Sequence, residues 1–272
     1  MKKNFESSLK LAEKIRTKSL HMVVKAKASH IGSALSMTDI LAVLYYNILN
    51  IDPNKPNDPS RDMFILSKGH ACVSLYATLG LSGFFDINKL DEYGENDSDF
   101  MNHISHKVTG VEFSTGSLGH GLPFATGKAL ASKINSNNNK IIVLLGDGEL
   151  DEGSNWEALL FAAHHKLDNL ISIIDYNNLQ SLTTVAETLN IEPLYDKFKA
   201  FGCEVFEVDG HNHKDLFTVL KKADIIKGKP IVIIAKTTKG KGVSYMENKV
   251  RWHYSTPNNE ELEIALNEIK NA

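Results

Sequence analysis

The sequence predicts an α/β fold, a doubly wound parallel sheet flanked by helices, and two observations carry that prediction. Ile141-Ile142-Val143-Leu144-Leu145 and Leu170-Ile171-Ser172-Ile173-Ile174 are apolar on both faces, as strands buried on both sides of a parallel sheet must be. A helical pattern separates them, and further strands and helices alternate on either side, which is the signature of a doubly wound sheet. The carboxyl ends of the two central strands therefore lie side by side, at the edge where open α/β sheets bind ligands.

Taken in order, the elements support this arrangement. From Phe5 to about Ala28, Leu9, Ala12, Ile15, Leu20, Val23 and Val24 recur with helical spacing, predicting a long first helix that ends near Ser29-His30-Ile31-Gly32-Ser33. A second helix is expected to start with Ser36 as N-cap and Asp39 at the capping-box distance, and to run through Ile40, Leu41, Leu44 and Ile48. Pro53, Pro56 and Pro59 mark an extended connection. Asp62 to Leu66 reads as a short strand leading into Ser67-Lys68-Gly69-His70, followed by a helix over 71–81. Residues 86–113 lack strong periodicity and read as a long functional loop with a short helix near Asn88 to Tyr93. Ser114 to Gly121 opens a helix with small residues at Ala125, Gly127, Ala129 and Ala131, which permit close packing on the sheet. Beyond the central strands come a helix near Pro193 to Phe201, a strand at Glu204 to Val208, a helix from about Asn212 to Lys222 and a strand at Ile231 to Ala235. A last amphipathic helix spans Pro257 to Lys270.

Bulk composition excludes several classes. In 272 residues, 42% are hydrophobic and 23% charged, ordinary values for a globular protein. A net charge of −3 offers no footprint for nucleic acid or a membrane surface, and no run approaches the ~20 apolar residues that span a bilayer. Cys72 and Cys203 form no Cys-x-x-Cys pair, so they read as small buried hydrophobes of a reduced, cytoplasmic protein. Arginine, the usual bidentate phosphate binder, occurs only at Arg16, Arg61 and Arg251. A phosphosugar would thus be gripped by lysines or by another chain.

The two central strand ends carry the chemistry. The first breaks at Gly146-Asp147-Gly148, a carboxylate between glycines that let a ligand approach the backbone. The second ends in Asp175-Tyr176-Asn177-Asn178 and offers an amide oxygen. Hard oxygen donors of mixed charge suit Mg²⁺, with Ca²⁺ a possible substitute, and Mg²⁺ completes its octahedron with water and substrate phosphates. The pair reads as a metal-bridged diphosphate clamp, although a Gly-Asp-Gly turn by itself is equally well only a turn. Neither the ATPase phosphate loop nor the Gly-x-Gly-x-x-Gly dinucleotide fingerprint is present there.

Gly146-Asp147-Gly148, the helix that follows and Asn177 resemble the thiamine-diphosphate motif of transketolase-like enzymes. The resemblance implies thiamine diphosphate and Mg²⁺ as cofactors, with Asp147, Asn177 and the Leu179 carbonyl as metal ligands. It implies cofactor-binding roles for His70, Gly116, Leu118, Gly146, Gly148 and Asn177. By position alone, a lone histidine such as His70 is more often a capped or surface residue, and Gly116 to Gly121 is equally a generic phosphate loop or a helix-packing surface. His30, His103 and His253 resemble the substrate histidines, with His106 close enough to confuse the assignment of His103. Their contexts, Ser29-His30-Ile31 and Asn102-His103-Ile104, depart from the family's Gly-His-Pro. Glu152 matches a glutamate of an interfacial proton relay, or else merely favours its helix amino end. Lys236 to Gly242 reads as an anion cradle or a flexible loop, and Asp209-Gly210-His211 matches a frequent family tripeptide without an assigned role.

The resemblance covers nearly the whole chain but only the first half of a typical transketolase. It implies that residues 1–272 are a single diphosphate-binding domain. The pyrimidine-binding and C-terminal domains are then expected on a separate chain, a C-terminal transketolase subunit, in an α2β2 heterotetramer. The implied reaction is transfer of a two-carbon ketol unit between sugar or sugar-phosphate substrates. The alternatives are a deoxyxylulose-phosphate-synthase-like ligase and a non-catalytic cofactor-binding subunit.

Overall fold

The computed structural model describes residues 7–271. Five strands, β1 (Met63–Leu66), β2 (Ile141–Gly146), β3 (Leu170–Tyr176), β4 (Glu204–Asp209) and β5 (Ile231–Lys236), form one sheet in the order β1-β2-β3-β5-β4. Every neighbouring pair is parallel. The chain lays β4 at the far edge and then returns to place β5 between β3 and β4. Register brings Gly146 opposite Asp175 and Tyr176 opposite Lys236, so β2, β3 and β5 release their chains at one level. The residues that follow, Asp147, Asn177 and Thr237, are delivered to one place.

Helices cover both faces, which explains why the central strands lack polar alternation. On one face α1 (Ser8–Ala26), α3 (Thr38–Val43), α4 (Cys72–Leu81) and α9 (His213–Ala223) pack with Ile142, Leu144, Ile171, Ile173 and Ile233. On the other, α5 (Gly121–Ile134), α6 (Gly153–His164) and α8 (Leu194–Ala200) pack with Ile141, Val143, Leu145, Ile174 and Val232. Short α2 (Ile31–Ser36) and α7 (Val185–Thr188) lie at the carboxyl edge. The last helix, α10 (Asn259–Lys270), lies against α1 and is entered through a capping box made by Asn258 and Glu261.

Two expectations change. The first helix begins at Ser8 with Ser7 as cap, and its expected start at Phe5 lies outside the described residues. Ser36 is no N-cap: it closes α2, Met37 precedes α3 without a side-chain cap, and the helix runs on into a π-helical turn at Leu44–Ile48. The Ser36 hydroxyl donates to Asp175, and Asp39 turns away to bind Arg16. A tertiary partner thus outcompeted the local backbone for each polar side chain. The 86–113 segment is the expected long loop with a short helical stretch, and its His103 reaches the cavity at the carboxyl edge of the sheet. Apart from a 3₁₀ stretch at Ile87–Glu92 it has little regular structure, yet Leu90, Tyr93, Phe100, Ile104 and Val108 are buried. The Phe100 ring sits 5.4 Å from that of Tyr76 on α4. Among the described residues, no helix is long and apolar enough to cross a membrane.

Candidate active site

At the carboxyl edge a cavity of about 240 Å³ opens between the ends of β1, β2, β3 and β5. Asp147 enters it directly after β2. Its Oδ1 accepts the Gly148 N–H at 2.8 Å and its Oδ2 the Asn178 N–H at 2.5 Å, and it has no ion-pair partner among the described residues. Burial first, and the nearby Asp175 second, push the Asp147 carboxyl up to about 6. A buried carboxylate lacking a counter-ion is a place where a cation is worth most. Of the two flanking glycines, both of which line the cavity, Gly148 is the crowded one: a Cβ there would lie 2.7 Å from Gln180 Cγ, whereas one at Gly146 would meet nothing closer than 4.0 Å.

Behind this carboxylate lies a largely buried polar network. Burial would raise the Asp175 carboxyl, but the Lys68 ammonium and the Ser36 and Thr237 hydroxyls more than offset it and hold it below the usual carboxylate range. The Asn177 amide nitrogen donates to Ser36 Oγ at 3.2 Å and Asp175 Oδ2 at 3.3 Å. Its Oδ1 accepts the Leu179 N–H at 3.1 Å and, having two lone pairs, retains one for a ligand. The amide is therefore oriented by Asp175, and Asn178 turns the chain through a left-handed conformation, φ 64°, that asparagine tolerates.

Lys239, buried at 1% exposure, reaches in from the loop after β5. Its Nζ donates to the Leu179 and Gln180 carbonyls at 3.2 and 2.8 Å and lies 3.0 Å from His253 Nδ1. Burial and then Lys68 lower its ammonium to about 8. Asp147, Asn177 and the Leu179 carbonyl thus stand together as hard oxygen donors with one formal charge. This set suits a Mg²⁺ that draws its remaining ligands from a diphosphate and water. No group of three or more His, Cys, Asp or Glu side chains forms a metal cage among the described residues.

Four imidazoles form the cavity's other wall. The His30 ring lies 4.9 Å from His253, 5.2 Å from His70 and 5.6 Å from His103, centroid to centroid. His30 sits in the left-handed region, φ 70°, before α2, and its N–H donates to the His253 carbonyl at 2.7 Å. Burial first, then neighbouring positive groups, lower His30 to about 4, His253 to about 3 and His70 well below its usual value. All three are held in the neutral form at physiological pH. An anionic ligand would raise each of them. His103, not His106, faces this cavity: a Cβ at Gly116 would meet its ring at 3.0 Å, whereas His106 is exposed and pairs with Ser114 Oγ at 2.7 Å.

His30, His70, His103, His253, Gly116, Leu118, Gly146, Asp147, Gly148, Asn177 and Leu179 therefore all line one cavity. Glu152 does not. It is exposed, precedes α6 without a side-chain capping bond, and lies outside the cavity beside Gly119. The acidic residue beneath the cavity is Glu149, 1% exposed. Its carboxylate accepts the Ser67 hydroxyl and the Gly119 and Gly146 N–H groups, clamping three segments of the wall. Sequence reasoning missed Glu149, Gln180, Asp175 and the individual roles of Lys68 and Lys239. The signal available was two lysines inside segments already singled out, but a lysine reads as a solvated cation until the fold removes its water.

The fold and the site together define an α/β cofactor-binding domain of the thiamine-diphosphate type. More particularly, the chain belongs to the transketolase family: the model for "Transketolase, thiamine diphosphate binding domain" matches residues 7–269. The chain is similar to one of the subunits of the apulose-4-phosphate transketolase of Phocaeicola vulgatus, 42% identical over 95% of this chain and 92% of that one. It is also similar to the SqwG subunit of the 6-deoxy-6-sulfo-D-fructose transketolase of a Clostridium species, 39% identical over 95% and 94%. The transketolase structure from Campylobacter jejuni superposes with a TM-score of 0.92 at 34% identity, over 98% of this chain and 43% of that one.

Proposed function

We propose that this chain is the diphosphate-binding, N-terminal subunit of a two-chain transketolase. The reaction is thiamine-diphosphate- and Mg²⁺-dependent transfer of a two-carbon ketol unit from a ketose to an aldose. The observation that carries this reading is the convergence of Asp147, Asn177, the Leu179 carbonyl and Lys239 opposite four histidines in one cavity. Asp147, Asn177 and Leu179 would hold Mg²⁺, and His70, Lys239 and the glycine turns at Gly116, Gly146 and Gly148 would hold the diphosphate. Bound there, thiamine diphosphate supplies the nucleophilic carbon and electron sink that cleavage beside a ketose carbonyl requires.

The protein's part is binding, orientation and proton transfer. Neutral His30 accepts or donates hydrogen bonds to sugar hydroxyls, His103 meets them from beside Gly116, and His253, against the Lys239 ammonium, would assist proton transfer at the acceptor step. Glu152, exposed at the head of α6, fits contact with another chain and membership of a relay between sites.

Residues 1–272 would form one diphosphate-binding domain, with the pyrimidine-binding domain on a C-terminal partner chain in an α2β2 assembly in the cytoplasm. A relative that matches this chain almost end to end bears the name of one transketolase subunit rather than of a whole enzyme. That name supports a partner. No observation favours the ligase or non-catalytic alternatives. The test is ketol transfer measured with the chain alone and with its partner. Turnover is expected only with the partner, thiamine diphosphate and Mg²⁺ together. Turnover by the chain alone, or turnover independent of the cofactor, would overturn the reading.

A further inference from the structure

We infer that His211 is a positioning residue that, with Asp39 and Arg16, latches the 236–242 loop so that Lys239 points into the cavity. The inference deepens the proposed function and rests on it for the identity of the ligand that Lys239 meets.

Each residue of Asp209-Gly210-His211 has a task in the latch. The Asp209 carboxylate accepts the His211 N–H at 2.9 Å, closing the turn after β4. Gly210 lets that turn press against the end of β5. Its N–H donates to the Lys236 carbonyl at 2.8 Å, and a Cβ there would lie 2.4 Å from Thr237 Cγ2. The His211 ring then bridges two partners. Its Nε2 lies 2.8 Å from the Thr238 backbone nitrogen and its Nδ1 2.8 Å from Asp39 Oδ2. A backbone N–H only donates, so Nε2 is the acceptor, and the ring proton sits on Nδ1, donated to Asp39. The tautomer is set by these two partners.

Asp39 is the hub. Its carboxylate takes a two-point contact from Arg16, at 3.0 and 2.6 Å, and also faces His213 Nε2 at 3.0 Å. Arg16 in turn donates from Nε to the Lys241 carbonyl at 3.2 Å. One buried carboxylate therefore governs two contacts to the loop, at Thr238 through His211 and at Lys241 through Arg16, and these bracket Lys239. None of these side chains lines the cavity. His211 acts through the loop and touches nothing that reacts.

The test uses His211→Leu, which removes both ring nitrogens, and His211→Gln, whose amide can accept from Thr238 near the position of Nε2. Amide hydrogen exchange over the full chain reads the latch without any ligand. His211→Leu is expected to speed exchange in 237–242 by about tenfold or more while β5 stays protected, and His211→Gln to restore most of that protection. Titration of the chain together with its partner, using thiamine diphosphate and Mg²⁺, is expected to show affinity about tenfold weaker in His211→Leu, the lower end of what outer-shell partners contribute, and near wild type in His211→Gln. Should the leucine variant fail to fold, His211→Asn, too short to reach Thr238, replaces it in the same comparison. Unchanged loop exchange in the variants lacking the Thr238 contact would overturn the latch. Failure of the wild-type chain, assayed together with its partner, to bind thiamine diphosphate would overturn the proposed ligand and leave the exchange result to decide the latch.

Discussion

Asp147 and His103 face the same cavity with different environments, and their removal separates binding from turnover. Asp147 is buried with only backbone donors around it, so Asp147→Asn removes the charge that makes a divalent ion favourable there. Calorimetry should show metal-dependent affinity for thiamine diphosphate falling about 100-fold or more, as loss of a first-rank ion contact of some 3 kcal/mol implies. His103 has its ring against Gly116 at the far wall. His103→Ala is expected to lower kcat by about 100-fold, a typical contribution of a positioned acid or base, while calorimetric cofactor affinity stays within about twofold. Equal loss of affinity in both variants would contradict the division of labour. The sequence named both residues because a glycine-flanked carboxylate after an apolar run and a histidine near a glycine turn are local patterns. It did not name Glu149, because a third carboxylate just past the turn carries no local mark of burial.

Among elements, the junction of β1 with α4 is tightly constrained. A Cβ at Gly69 would lie 2.3 Å from the Thr115 carbonyl oxygen and 2.4 Å from Thr115 Oγ1, and the Thr115 hydroxyl is itself tied to the Leu66 carbonyl at 2.6 Å. Neither neighbour can yield without moving backbone. Gly69→Ala should therefore destabilise by about 2–4 kcal/mol, read from denaturant midpoints, and should also displace His70. A loss below about 0.5 kcal/mol would show that the two segments separate freely. The strands and most helices were legible because their apolar periodicity reports burial directly. The break at Met37 and the left-handed turn at His30 were not, since both are decided by partners distant in sequence: Ser36 by Asp175, and His30 by the carbonyl of His253.

At the scale of the molecule, Asp39 joins α1, α3, α9 and the loop after β5. Burial would raise its carboxyl, but Arg16, His211 and His213 hold it well below the ordinary value of 3.8. The folded-state value lies under the unfolded one, so this stabilisation is fully present above about pH 4 and is lost as pH falls through the folded value. Asp39→Asn, which strands the Arg16 charge, should cost about 3 kcal/mol near neutrality. In urea unfolding, the gap between wild type and variant should hold constant from pH 7 to 5 and narrow steadily below pH 4. A gap that widens on acidification would mean the sign is wrong and the carboxylate is not stabilised by its partners.

What the sequence determined alone is the sheet, its two-sided cover and the pair of strand ends that open on the cavity, because burial period and turn chemistry act over a few residues. The tertiary structure decided which charges are buried and what they face. It put Lys68 on Asp175 and Lys239 on the Leu179 carbonyl, lowered three histidines, left Glu152 outside the cavity and gave His211 its two partners. Desolvation and pairing depend on distances between segments far apart along the chain, and only the closed fold sets those distances.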